Sequence, residues 1–148
     1  MRSMVLTGGV LASALYLFAC ASSPKPAPSP PPADFPGQVA LGQTLYGDNC
    51  ASCHGAGGEG GKGPRVVGLA EGALPLDPPA DRKHRTMRFV TVADVAGFVV
   101  ANMPPGKAGS LTTEEYLAVL AFDLKANGID LGAEKLTLDK AATLTIPR

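Results

Sequence analysis

Cys50-Ala51-Ser52-Cys53-His54 decides how this chain reads. Two thiols three residues apart reach the two vinyl groups of one porphyrin and can close two thioethers with it. The histidine that follows is then held under the ring, with its imidazole free to bind iron. C-x-x-C-H is the attachment signature of a c-type haem, and covalent linkage makes the ligand hard to lose. Two other chemistries use C-x-x-C. Thioredoxin-like redox sites need βαβ surroundings, which this sequence lacks. Zinc would need further ligands, but His54 directly adjoins Cys53 and there is no second C-x-x-C. The expectation is an exported haem protein.

The rest of the chain is consistent with that. Its 148 residues suit one domain with appendages. It has three cysteines, Cys20, Cys50 and Cys53; with haem on two and lipid on the third, none is left for a disulfide. Formal net charge is zero, and removal of residues 1–19 takes away Arg2, leaving 12 basic against 13 acidic side chains. Nothing in this balance points to nucleic acid. Tryptophan is absent and aromatics make up only 5% of the chain. So small a domain with so few large side chains has a marginal core, and a buried porphyrin would supply the missing apolar bulk.

Residues 1–20 read as an export signal. Arg2 gives a positive start, and an uncharged apolar run of about 16 residues follows, short for a membrane span and adequate for a signal core. It ends in Leu17-Phe18-Ala19-Cys20, which resembles a bacterial lipobox with cleavage leaving Cys20 first; Phe18 departs from the usual small or aliphatic residue. The alternative is cleavage by ordinary signal peptidase, with Cys20 incidental. Several acyl chains on Cys20 would anchor the chain stably, at about 0.8 kcal/mol per buried methylene. Residues 21–36 are proline-rich and of low complexity, favouring extended polyproline II. At about 3.1 Å per residue they form a tether of up to roughly 50 Å. A folded domain is expected over residues 37–129, with a C-terminal extension over 130–148.

Three helices are expected in that domain. The first spans residues 38–49, pairs Leu41 with Leu45 and Gly42 with Tyr46 at i,i+4, and leads into Cys50. A glycine-rich stretch, 55–63, then allows close approach to a flat ligand. The second helix starts after Thr91, where Thr91 and Asp94 form a capping box with Val90 and Val95 as staple, and ends near Asn102 ahead of Pro104-Pro105. Val92, Val95, Ala96 and Val99 make its apolar stripe. The third opens with a Thr112–Glu115 box, lines up Leu117, Leu120, Ala121 and Leu124, and stops at Gly128. No segment alternates like a strand. The tail holds Leu131, Leu136, Leu138, Leu144 and Ile146, too irregular to assign.

One histidine leaves the second axial position of the iron open. Met1 and Met4 leave with the signal, so the candidates are His84, Met87 and Met103. His84 lies in a charged loop with Arg82, Lys83 and Arg85, which with Arg88 read as a solvated basic group able to meet an acidic partner or propionates. Met87 sits between Arg85 and Arg88. Met103 follows a helix and precedes two prolines that enforce an extended path. Its thioether suits low-spin iron and raises the potential, though methionine is more often core filler.

Taken together, these residues resemble the small monohaem class I cytochromes c over roughly residues 39–129. The likeness rests on Gly42, Tyr46, the Cys50–His54 motif, Gly63-Pro64, Asn102-Met103-Pro104 and the last helix. It implies an all-α fold of three or more helices around one covalent haem c, with Gly42 and Tyr46 of the first helix meeting Phe122 of the last. It implies that the Pro64 carbonyl accepts from the His54 Nδ1–H, and that Met103 is the distal ligand. Two departures stand out. There is no tryptophan for a propionate, a role left to Arg65 or Tyr46, and residues 130–148 are extra. Such a tail also resembles the cytochrome subunits of periplasmic dehydrogenases, sulfite-oxidising ones included.

The expected role is a non-enzymatic electron carrier on the periplasmic side of a bacterial membrane, exchanging electrons with redox partner proteins. The alternatives are a dedicated cytochrome subunit of a dehydrogenase and, with an open iron, a gas sensor or peroxidase.

Overall fold

The computed structural model describes residues 30–73, 76–78, 80 and 85–147. Cys20 with the whole export signal, tether residues 21–29, Arg82, Lys83 and His84 lie outside the described residues.

Among the described residues five α-helices follow in order, α1 (Phe35–Asn49), α2 (Ala51–His54), α3 (Val92–Asn102), α4 (Thr113–Ala126) and α5 (Leu138–Thr143), with one 3₁₀ turn at Leu69–Glu71. Among the described residues there is no strand, only an isolated antiparallel bridge between Thr91 and Thr145. The all-α expectation therefore holds. Helix α1 starts three residues earlier than expected. Asp34 caps it by accepting from the Gly37 N–H, and Pro36 sits in the first turn, where its missing N–H costs nothing. Phe35, read as tether, is buried in the core.

Helices α1 and α4 cross in close contact, and glycine at position 42 makes this possible. A Cβ there would lie 1.9 Å from the Ala118 carbonyl oxygen. One turn on, Tyr46 and Phe122 pack with ring centroids 5.1 Å apart. Both capping boxes are formed, Thr91 with Asp94 and Thr112 with Glu115. The staple expected beside the first is weak, because Val90 is 48% exposed. The core gathers Phe35, Phe89, Val92, Val95, Leu117, Leu120 and Leu124, with Leu136, Ala141 and Ile146 from the tail.

The C-terminal extension is thus part of the core. The buried Gln38 amide donates to the Leu136 carbonyl at 2.9 Å and accepts from the Leu136 N–H at 2.7 Å. Further on, the Val92 N–H donates to Leu144 O and the Ile146 N–H to Val90 O. The tail is therefore fastened to α1 at one point and to the start of α3 at another.

One member of the basic group departs from expectation. Arg85 is buried, not solvated: its guanidinium donates to the carbonyls of Leu76, Asp77 and Met87 and lies 3.8 Å above the Phe89 ring. It organises the loop before α3 from within. Arg88 is exposed and pairs with Asp77.

Candidate functional site

The motif closes α1 and forms the short helix α2. The N–H groups of His54 and Gly55 continue the helical pattern, donating to the carbonyls of Cys50 and Ala51. The chain then doubles back. Gly60 donates to the His54 carbonyl at 2.7 Å and Gly63 to the Cys53 carbonyl at 2.9 Å. This return path brings residue 63 against the imidazole, where a Cβ would stand 2.9 Å from Cε1 and 3.0 Å from Nδ1 of His54. Only glycine fits there without moving the ring.

The next residue fixes the imidazole chemically. His54 Nδ1 lies 2.7 Å from the Pro64 carbonyl oxygen. A carbonyl can only accept, so Nδ1 carries a proton, the tautomer that in a neutral ring leaves the Nε2 lone pair open. Such a bond sets ring orientation and raises the basicity of the free nitrogen. Cys50 and Cys53, on either side of Ala51 and Ser52, are both free thiols and half-buried. Burial first, then the negative charges of Asp123 and Cys53, pushes the Cys50 thiol up to about 11.

The loop is tied to the helix pair. The Tyr46 hydroxyl donates to the Gly55 carbonyl at 3.0 Å, which commits it there; burial, then Asp123, raises its phenol well above the ordinary value. At the far end, the Asn127 amide, which caps α4, donates to Val66 O and accepts from Gly68 N–H, both at 2.9 Å. Sequence reading gave Asn127 no such role, because an asparagine ahead of Gly128 looks like a simple helix stop.

Met103 is presented from a different element. It caps α3 with extended backbone (φ −122°, ψ 145°) and is half-buried. Tyr116, buried on α4, clamps the Met103 loop at both ends: its hydroxyl donates to the Met103 carbonyl at 2.8 Å and accepts from the Gly109 N–H at 3.0 Å. The sequence pattern did not tie Tyr116 to Met103, because the two lie on different elements. Of the other candidate ligands, Met87 is 46% exposed and His84 lies outside the described residues.

These features suit a covalently held porphyrin: two free thiols on one helical turn, an imidazole with one nitrogen committed and one open, and a glycine pressed on its face. Among the described residues no group of three His, Cys, Asp or Glu side chains is placed to hold a metal ion.

Comparison with known proteins agrees. The family model for cytochrome c matches residues 39–124. Over 106 residues the chain is 30% identical to the cbb3-type cytochrome c oxidase subunit CcoP of Rubrivivax gelatinosus, covering 72% of this chain and 32% of that protein. Among solved structures it is similar to the sulfane dehydrogenase SoxCD from Paracoccus pantotrophus, at a TM-score of 0.53 and 28% identity, covering 78% of this chain and 59% of that one. The chain thus spans about a third of the curated relative's length. Its match to the family model over more than half its length, on an all-α fold with a C-x-x-C-H turn, places it in the cytochrome c family, electron-transfer proteins that carry covalently bound haem c.

Proposed function

We propose that this protein is a lipid-anchored electron carrier on the periplasmic side of a bacterial membrane, with Cys50 and Cys53 holding the haem and His54 and Met103 holding its iron. The observation that carries the reading is the Pro64–His54 hydrogen bond beside two free thiols on one turn. Bound haem supplies a one-electron couple. The chain's residues do the rest. Pro64 and Gly63 fix the imidazole plane, while Tyr46 and Asn127 hold the loop behind it. Tyr116 holds the backbone that presents the Met103 thioether. An iron saturated by imidazole and thioether changes little when one electron moves, which favours transfer over substrate binding.

Attachment is tested on protein made in a host with haem-attachment machinery. Haem is expected to stay on the chain through denaturation and acid-organic extraction. Cys50→Ser with Cys53→Ser should leave apoprotein that is mostly degraded. Extractable haem in the intact protein would contradict the assignment.

The anchor rests on Cys20 at the end of the short apolar segment, followed by a proline-rich spacer. The mature chain is expected to begin at an acylated Cys20, checked by mass spectrometry of the native N-terminus. Cys20→Ala should block this processing and leave the haem spectrum unchanged. An unmodified N-terminus downstream of Cys20 would mean an unanchored protein.

A second reading is favoured by the relatives. One is named as an oxidase subunit and the other as a dehydrogenase, so this domain is also suited to serve as the dedicated cytochrome of an oxidoreductase complex. A stable heteromer recovered from membranes would select it over the free carrier.

A further inference from the structure

Asp123 has no part in the site as described, and its placement is costly. It lies on α4 between Phe122 and Leu124, and the residue as a whole is only partly covered. Its Oδ1, however, is sealed from solvent and accepts no hydrogen bond among the described residues. A buried acceptor left unmatched is destabilising, because it has given up its water and gained no partner. The carboxyl lines a hollow walled by Val92, Val95, Leu120, Leu124 and Ile146. The hollow measures about 10 Å³, room for at most one water, and its other walls are apolar side chains that give such a water no partner. Asparagine or leucine would sit here at less expense.

The surroundings define what the carboxyl can sense. Its charge is felt by Tyr46 on α1 and by Cys50 at the joint of α1 and α2. Of the other walls, α3 gives Val92 and Val95, α4 itself Leu120 and Leu124, and the C-terminal segment Ile146, all uncharged. Asn127 reaches only the backbone carbonyl of Asp123. No cation offsets the carboxylate among the described residues. Its titratable neighbours are therefore a phenol that stays neutral and the cysteine assigned to a haem thioether.

We propose that Asp123 is a proton-binding site coupled to the redox state of the haem: its carboxyl takes up one solvent proton when a partner protein delivers one electron, and releases it on oxidation. This rests on the haem assignment to Cys50 made above. The direction follows from charge. Oxidised haem carries one more positive charge than reduced haem and so favours the carboxylate; on reduction that support is withdrawn in an apolar setting that screens little, and the acid form is favoured. One electron and one proton enter together, so net charge in the buried region stays constant. Burial alone already pushes Asp123 up to about 8, which places the exchange near neutral pH, not in the ordinary carboxylate range.

The test is the midpoint potential of the full-length holoprotein between about pH 5 and 10, for wild type, Asp123→Asn and Asp123→Leu. In the wild type the electron-binding constant should fall up to tenfold per pH unit over a window near neutrality, because a proton must accompany the electron. Both variants should lose that window. Asp123→Leu guards against misfolding of the amide variant, since it extends the apolar wall. In reduced-minus-oxidised infrared spectra the wild type should gain a protonated-carboxyl band that both variants lack. A wild-type potential flat across this range, or the same slope retained in both variants, overturns the proposal. Failure of the underlying assignment looks different: haem that is extractable, whatever its pH dependence.

Discussion

Gly42→Ala is expected to lower the melting temperature of the holoprotein by roughly 8–16 °C. Two effects oppose each other. Alanine is better than glycine in a helix by about 1 kcal/mol, and it also lowers the entropy of the unfolded chain. Against this, the new methyl would stand 1.9 Å from the Ala118 carbonyl oxygen and 2.5 Å from its carbon, so α1 and α4 must separate. Overpacking against backbone costs on the order of 3 kcal/mol, because no side chain can swing aside. The penalty wins, and each net kcal/mol is worth about 4–8 °C in a domain of this size. Gly47 is the control. It lies on the same helix with nothing within 4 Å of its would-be Cβ, so Gly47→Ala should be neutral or slightly stabilising. Equal melting of Gly42→Ala and Gly47→Ala would mean that the helix crossing does not depend on glycine.

Met103→Ala is expected to convert a closed iron into an open one. Haem attachment should persist, since both thioethers and His54 are untouched. The potential should drop, because His/Met ligation is the arrangement that raises it. Carbon monoxide, excluded from the reduced wild type, should bind the variant stoichiometrically. Tyr116→Phe tests how the thioether is held. It removes the hydroxyl that joins Met103 O to Gly109 N and so frees the Met103 loop from α4. The Met103 bond should then form but yield more readily to added imidazole. If Met87→Ala or His84→Ala abolishes the native spectrum while Met103→Ala does not, the wrong ligand has been named.

The parts of this structure legible in the sequence are those where one residue type has one physical use. Gly42 and Tyr46 ahead of Cys50 pointed to a close helix crossing through family likeness, and the structure shows it. Thr91 with Asp94 and Thr112 with Glu115 marked where helices start, because a hydroxyl and a carboxylate three residues apart satisfy orphan N–H groups. Gly63-Pro64 pointed to the imidazole through family likeness, and the structure puts both beside His54.

The misses share a cause: side chains whose partners are distant in sequence. Gln38 reads as a polar helix residue, yet it is buried and exchanges two hydrogen bonds with Leu136, which lies 98 positions away. Without that pairing residues 130–148 look like an irregular tail. Arg85 sits among charges and reads as solvated, while three carbonyls and the Phe89 ring enclose it. Asp123 looks like the polar side of an amphipathic helix, and only the placement of α3 and the tail shows that its carboxyl is sealed. Pro36 read as linker because proline is rarer inside helices than in spacers, although the first turn tolerates it.

The most direct test of the central claim, a covalent haem closed by His54 and Met103 for electron transfer, is the spectrum of the purified wild type in both oxidation states, with carbon monoxide added to the reduced form. The account predicts the weak sulfur-to-iron charge-transfer band in the oxidised protein and no carbon monoxide adduct in the reduced one. Absence of that band together with ready carbon monoxide binding would contradict it and turn the reading to a gas sensor or peroxidase.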